Sequence, residues 1–80
     1  MPLFILHHQH SAEECSAAYA AWKGFDSPLR RHSARTTCIS GGHEIWWDVV
    51  ATDEDEAKAQ LPGYVAQRTQ VVRVGQVEIP

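Results

Sequence analysis

Apolar residues run unbroken through Leu3, Phe4, Ile5 and Leu6, then give way to His7, His8, Gln9 and His10. A short continuous apolar run bounded by polar residues predicts a buried strand over residues 3–8. The period then changes. Cys15, Ala18, Tyr19 and Trp22 fall at i, i+3, i+4 and i+7, the stripe of an amphipathic helix. Ser11 and Glu14 have the spacing of a capping box at its start, and Gly24 is its natural stop. Residues 25–34 read as a loop, with Asp26-Ser27-Pro28 as the turn signal.

Two threonines, a cysteine and an isoleucine predict a second strand over residues 35–40, followed by a tight turn at Gly41-Gly42. The third strand, 43–51, reads HEIWWDVVA and is the strongest in the chain. Thr52 or Asp53 caps a second helix, and Asp53, Glu54, Asp55 and Glu56 put negative charge on its positive end. Leu61-Pro62-Gly63 predicts a kink, or a break into a short second piece ending near Arg68. Residues 70–79 read as a fourth strand with a bulge at Gly75.

The element order is βαββαβ over a single domain, 1–80. That is a ferredoxin-like α+β arrangement: a four-stranded antiparallel sheet in the order 4-1-3-2, with two helices on one face. Both faces of the strands carry apolar groups. The face without helices must therefore meet something, and a homodimer packed sheet to sheet is the leading expectation, ahead of a shallow ligand pocket there.

Composition narrows the classes. The 80 residues are 44% hydrophobic and 21% charged, a globular balance with room for one core. A net charge of -3 argues against nucleic acid as a partner. The apolar start is too short for a signal peptide core or a membrane span, so no membrane partner and a cytoplasmic location are expected. Cys15 and Cys38 match no Cys-x-x-Cys spacing and read as buried free thiols.

In the expected topology, the end of the first strand lies beside the start of the third. His7, His8, His10 and His43 then collect at one pole with Glu13, Glu14 and Glu44. Alternation along the strand puts His8 and His10 on one face and His7 on the other. Two or three imidazoles with a carboxylate suit a divalent transition metal, so these four histidines are the candidate ligands. Trp46 and Trp47 point to opposite faces, one into the core and one into an interface or pocket. With Asp48 and Tyr19 they form the candidate ligand-pocket set. Arg30, Arg31, His32 and Arg35 face the acidic run 53–56, which reads as mutual charge balance, with an anion site as the alternative.

Phe4-Ile5-Leu6-His7-His8, together with the element order and length, resembles small bacterial ferredoxin-like proteins, some of which bind nickel. The resemblance implies a ligand role for His7 and His8, nickel binding and a dimer, and the donor set itself suits nickel or zinc as the cofactor. Three functions remain open. One is a non-catalytic metal- or small-ligand-binding dimer. A second is an enzyme similar to cofactor-free dimeric α+β-barrel isomerases, monooxygenases and cyclases, with His7 or His8 as proton shuttle and Asp48 as its orienter. The third is an interaction module working through the open sheet face.

Overall fold

A computed structural model describes all residues from Met1 to Pro80. It is an α+β domain built on one open, four-stranded antiparallel sheet. The strands are β1 (Leu3–Gln9), β2 (Arg35–Thr36), β3 (Glu44–Val50) and β4 (Thr69–Val74), ordered β2-β3-β1-β4. Three short helices accompany them: α1 (Cys15–Ala20), α2 (Glu54–Lys58) and α3 (Gly63–Ala66). None is long and apolar enough to cross a membrane.

Period-two alternation decides what each face carries. Phe4, Leu6, His8 and His10 point to the covered face, where Ile45, Trp47 and Val49 of β3 join them. Ala57 and Leu61, from α2 and the turn after it, and Val65 of α3 close over this surface and complete the core. The opposite face stays open. It carries Leu3, Ile5 and His7 against Val50, Asp48 and Trp46 of β3, and against Val74, Val72 and Gln70 of β4.

The helices obey their caps. Glu14 Oε1 accepts the Ser11 N–H at 2.9 Å, and Glu14 Oε2 accepts Arg68 Nε at 2.9 Å. These bonds hold the carboxyl down at about 2, the Ser11 N–H first and the Arg68 guanidinium after it. They also tie the start of α1 to the junction between α3 and β4. Asp53 accepts the Glu56 N–H at 2.8 Å and caps α2. The break at Leu61-Pro62-Gly63 separates α2 from α3, because Pro62 has no N–H to donate within a helix, and α3 ends at Ala66.

Two strands are shorter than the sequence pattern predicts. The second was expected to reach Ser40, but the ladder stops at Thr36 and residues 38–40 form a 3-10 turn. The threonines cause this by offering side-chain hydrogen bonds in place of sheet ones. Thr36 Oγ1 donates to the Glu44 carbonyl at 2.9 Å and accepts the Cys38 N–H at 3.0 Å. Thr37 Oγ1 accepts the Glu44 N–H at 3.1 Å. The fourth strand ends at Val74, not Ile79, so no bulge forms at Gly75. Val74 pairs with Leu3, the first residue of β1, and beyond it there is no partner strand.

The turn into β3 is close-packed. Gly41 adopts a left-handed φ of 86°, and a Cβ on Gly42 would meet Thr37 Cβ at 2.6 Å. Gly42→Ala is therefore expected to lower stability by about 1–3 kcal/mol in urea unfolding, the usual range for an overpacked site. A neutral substitution would mean the turn relaxes freely.

Candidate metal centre

The end of β1 and the start of β3 meet one residue beyond the regular ladder, where the His10 N–H donates to the His43 carbonyl at 3.1 Å. The chain then turns through Ser11 and returns over the strand end as α1, which brings Cys15 back to the same spot. One ligand atom each from His10, Cys15 and His43 lies within 4.8 Å of the others. A tetrahedral ion with bonds of about 2.0–2.3 Å needs ligand atoms roughly 3.3–3.7 Å apart. The ligand atoms would have to close in by about 1 Å to hold such an ion.

Hydrogen bonding fixes which nitrogen of His10 is free. Val65 O can only accept, and Thr69 Oγ1 donates its proton to that carbonyl at 2.7 Å. His8 Nδ1 lies 3.3 Å from Val65 O and 3.2 Å from Thr69 Oγ1, so both partners accept and Nδ1 carries the hydrogen. Neutral His8 then accepts at Nε2, 2.8 Å from His10 Nδ1, which must be the donor. His10 Nε2 is left as a bare lone pair. It is fully buried and has no hydrogen-bond partner, as does Nδ1 of His43. A buried acceptor without a donor loses free energy that a Lewis acid would restore.

The electrostatics favour neutral imidazoles. His8 has no exposed surface and His10 is 8% exposed. Removal from water is the largest cause lowering both pKa values below the ordinary 6.5. His10 adds a smaller repulsive push on His8, and His43 does the same to His10. Tyr19 closes the outer side, with its ring edge-on to His10 at 6.2 Å and its hydroxyl donated to Cys38 Sγ at 3.4 Å. That bond, followed by partial burial, pushes the phenol up to about 12.

Of the four histidines expected to be ligands, His10 and His43 come together here. His7 does not: it lies on the open face, stacked on Trp46 at 4.8 Å, with Nε2 2.8 Å from Glu44 Oε1. His8 is beside the centre, but both its ring nitrogens are engaged in hydrogen bonds. Cys15, expected as an inert core thiol, is half-buried in the cluster. The sequence signal for it is local: five residues after His10, the first turn of α1 returns to that histidine.

The expected pocket residues divide between two neighbouring cavities under the 28–36 loop. Tyr19 and Trp47 line one of about 410 Å³, and Trp46, Trp47 and Asp48 line one of about 380 Å³. Asp48 is exposed and His7 pairs with Glu44, so the proposed orientation of a histidine by Asp48 does not form. The expected balance between the arginines and the acidic run is also absent. The ion pairs are His7–Glu44 and Arg68–Glu14. No protein-family model, curated protein or solved structure matches this chain.

The depressed histidines give a pH dependence of definite sign. Between their folded pKa values and 6.5, the unfolded chain binds protons that folded His8 and His10 refuse. Their contribution to stability is complete above about 6.5 and is lost as the pH falls below it. Glu14, held at about 2, begins to lose its contribution only below 4.5, so the two windows separate. The melting temperature of metal-free protein should fall between pH 7 and 5, with a shallower slope in His8→Asn. A flat profile over that range would contradict the burial of these imidazoles.

Proposed function

We propose that this protein binds a borderline-soft transition metal, zinc in the first instance, through His10, Cys15 and His43. The observation that carries the reading is the bare, buried Nε2 of His10, directed by the hydrogen bond from its own Nδ1 to His8. Metal-bound histidines commonly donate their second ring N–H in this way, which sets the tautomer and strengthens the ligand. His8, Thr69 and the Val65 carbonyl form that outer layer here. The donor set chooses the metal class. A thiolate with two imidazoles disfavours magnesium, calcium and manganese, and suits zinc or copper ahead of nickel. Three protein ligands leave a fourth position for water or another ligand.

The domain itself is a reduced ferredoxin-like fold in this proposal, supported by the strand order β2-β3-β1-β4 and the βαββαβ succession. Its assembly is a homodimer through the open sheet face. Support comes from the apolar end of that face, where Val50 and Val72 are 55% and 49% exposed beside Leu3, Ile5 and Val74. The same apolar patch on each of two copies makes a two-fold, self-complementary contact.

Under reducing conditions, calorimetry should give a zinc Kd well below about 1 mM, and cobalt should give thiolate charge-transfer bands with intense tetrahedral d–d absorption. Cys15→Ser should abolish those bands. His8→Phe, which keeps the core filled, should weaken zinc about 10–100-fold, the usual effect of removing an outer-layer partner. Cys15→Ser binding zinc as tightly as the native chain would overturn the site. For the dimer, sedimentation should give twice the chain mass for the native protein and a monomer for Val72→Glu. A monomeric native protein overturns that part alone.

A further inference from the structure

We infer that the 410 Å³ cavity beside α1 is a second, separate binding site, for a small planar aromatic carboxylate. Its volume falls in the range of small-molecule pockets, on the order of 300–1,000 Å³. Its inner walls are aromatic. Trp47 forms the floor and Trp22 leans on it at 5.8 Å between ring centroids, tilted by 50°. Tyr19, half exposed, stands as a side wall. Flat aromatic surfaces of this kind favour a flat ligand over a branched aliphatic one.

The rim selects charge. Arg30, Arg31 and His32 line the cavity, and no aspartate or glutamate does. In a chain of net charge -3, that is a local reversal of sign. Neither arginine is in an ion pair, since the salt bridges are His7–Glu44 and Arg68–Glu14. Arg30 Nη1 donates to the Phe25 carbonyl at 3.2 Å, which anchors the guanidinium while leaving its other N–H groups available. Arg31 is held with a left-handed φ of 66°, a conformation that disfavours its own side chain and that surrounding structure must enforce. Guanidinium groups lining an open aromatic cleft match a carboxylate attached to a ring, with the ring against the aromatic side chains and the charge on the arginines. Occupancy needs no metal, because neither His10, Cys15 nor His43 lines the cavity.

The test uses 2-naphthoate and its neutral isostere 2-naphthamide, followed by tryptophan fluorescence and by the indole N–H resonances. 2-Naphthoate should bind with a Kd below about 1 mM and shift the Trp22 and Trp47 indole signals. The amide should bind about tenfold or more weaker, the usual scale of a hydrogen bond to a charged partner. Arg31→Gln should bring the acid down to the affinity of the amide. Cys15→Ser should leave acid binding unchanged, so failure here and failure of the metal proposal are distinguishable. Equal affinity for acid and amide, full affinity in Arg31→Gln, or no binding of the acid at millimolar concentration would each overturn the inference.

Discussion

His8 is an imidazole with no exposed surface, placed in line with Phe4 and Leu6 under α3. The position does not require a polar residue to satisfy the backbone. The Val65 carbonyl already accepts the Thr69 hydroxyl at 2.7 Å and the Arg68 N–H at 3.0 Å. A leucine at position 8 would leave no backbone group orphaned there, and would bury apolar area without the desolvation a histidine suffers. What His8 adds is an acceptor for His10 Nδ1–H. That single hydrogen bond sets the tautomer of His10 and so creates the bare nitrogen around which the candidate centre is arranged. The core thus carries one polar line, from α3 through β1 to the strand exit, and its outer end faces Cys15 and His43.

Backbone strain falls at both candidate sites. Arg31 and His43 are the non-glycine residues with positive φ, at 66° and 55°. Each such conformation costs on the order of 1 kcal/mol for a side chain with a Cβ, and glycine would escape it. His43 follows Gly41-Gly42, where glycine is used, so the chain can supply one at this turn. The strained histidine stands in the His10–Cys15–His43 cluster, and the strained arginine lines the aromatic cavity. Sites that hold unfavourable conformations need a rigid frame. Here the frame is the Thr36–Thr37 hydrogen bonds to Glu44 on one side and the Arg30 bond to Phe25 on the other.

Alternation along β1 made much of this legible in the sequence. An apolar run ending in HHQH fixes that His8 and His10 share the buried face and His7 opposes them, and the strand order then brings His43 alongside. The break before α3 was equally readable, because Pro62 removes a donor that a helix needs. Other features depended on partners distant in sequence. The end of β4 is set by where Leu3 begins, and nothing in the residues 75–79 announces it. The truncation of β2 comes from threonine hydroxyls choosing between side-chain and ladder bonds, and threonine is a good strand former in either case. Cys15 is a free thiol, as its spacing from Cys38 suggests, but its place beside His10 and His43 was not legible, because it depends on how closely a helix start folds back on the strand before it.

Tyr19 stands between the His10–Cys15–His43 cluster and the aromatic cavity. Its ring edge meets His10 on one side and lines the aromatic cavity on the other, and its hydroxyl is held by Cys38. With the phenol pushed up to about 12, it remains a hydrogen-bond donor across the physiological range. The ring cannot swing outward to enlarge the cavity without giving up both the Cys38 bond and the contact with His10. The apolar core of the domain is nine buried residues, so its stability leaves a small margin and each such contact matters. A small fold with half-open candidate sites would gain most from ligands that bind only its native form, since the unfolded chain holds His10 far from His43 and Tyr19 far from Trp47.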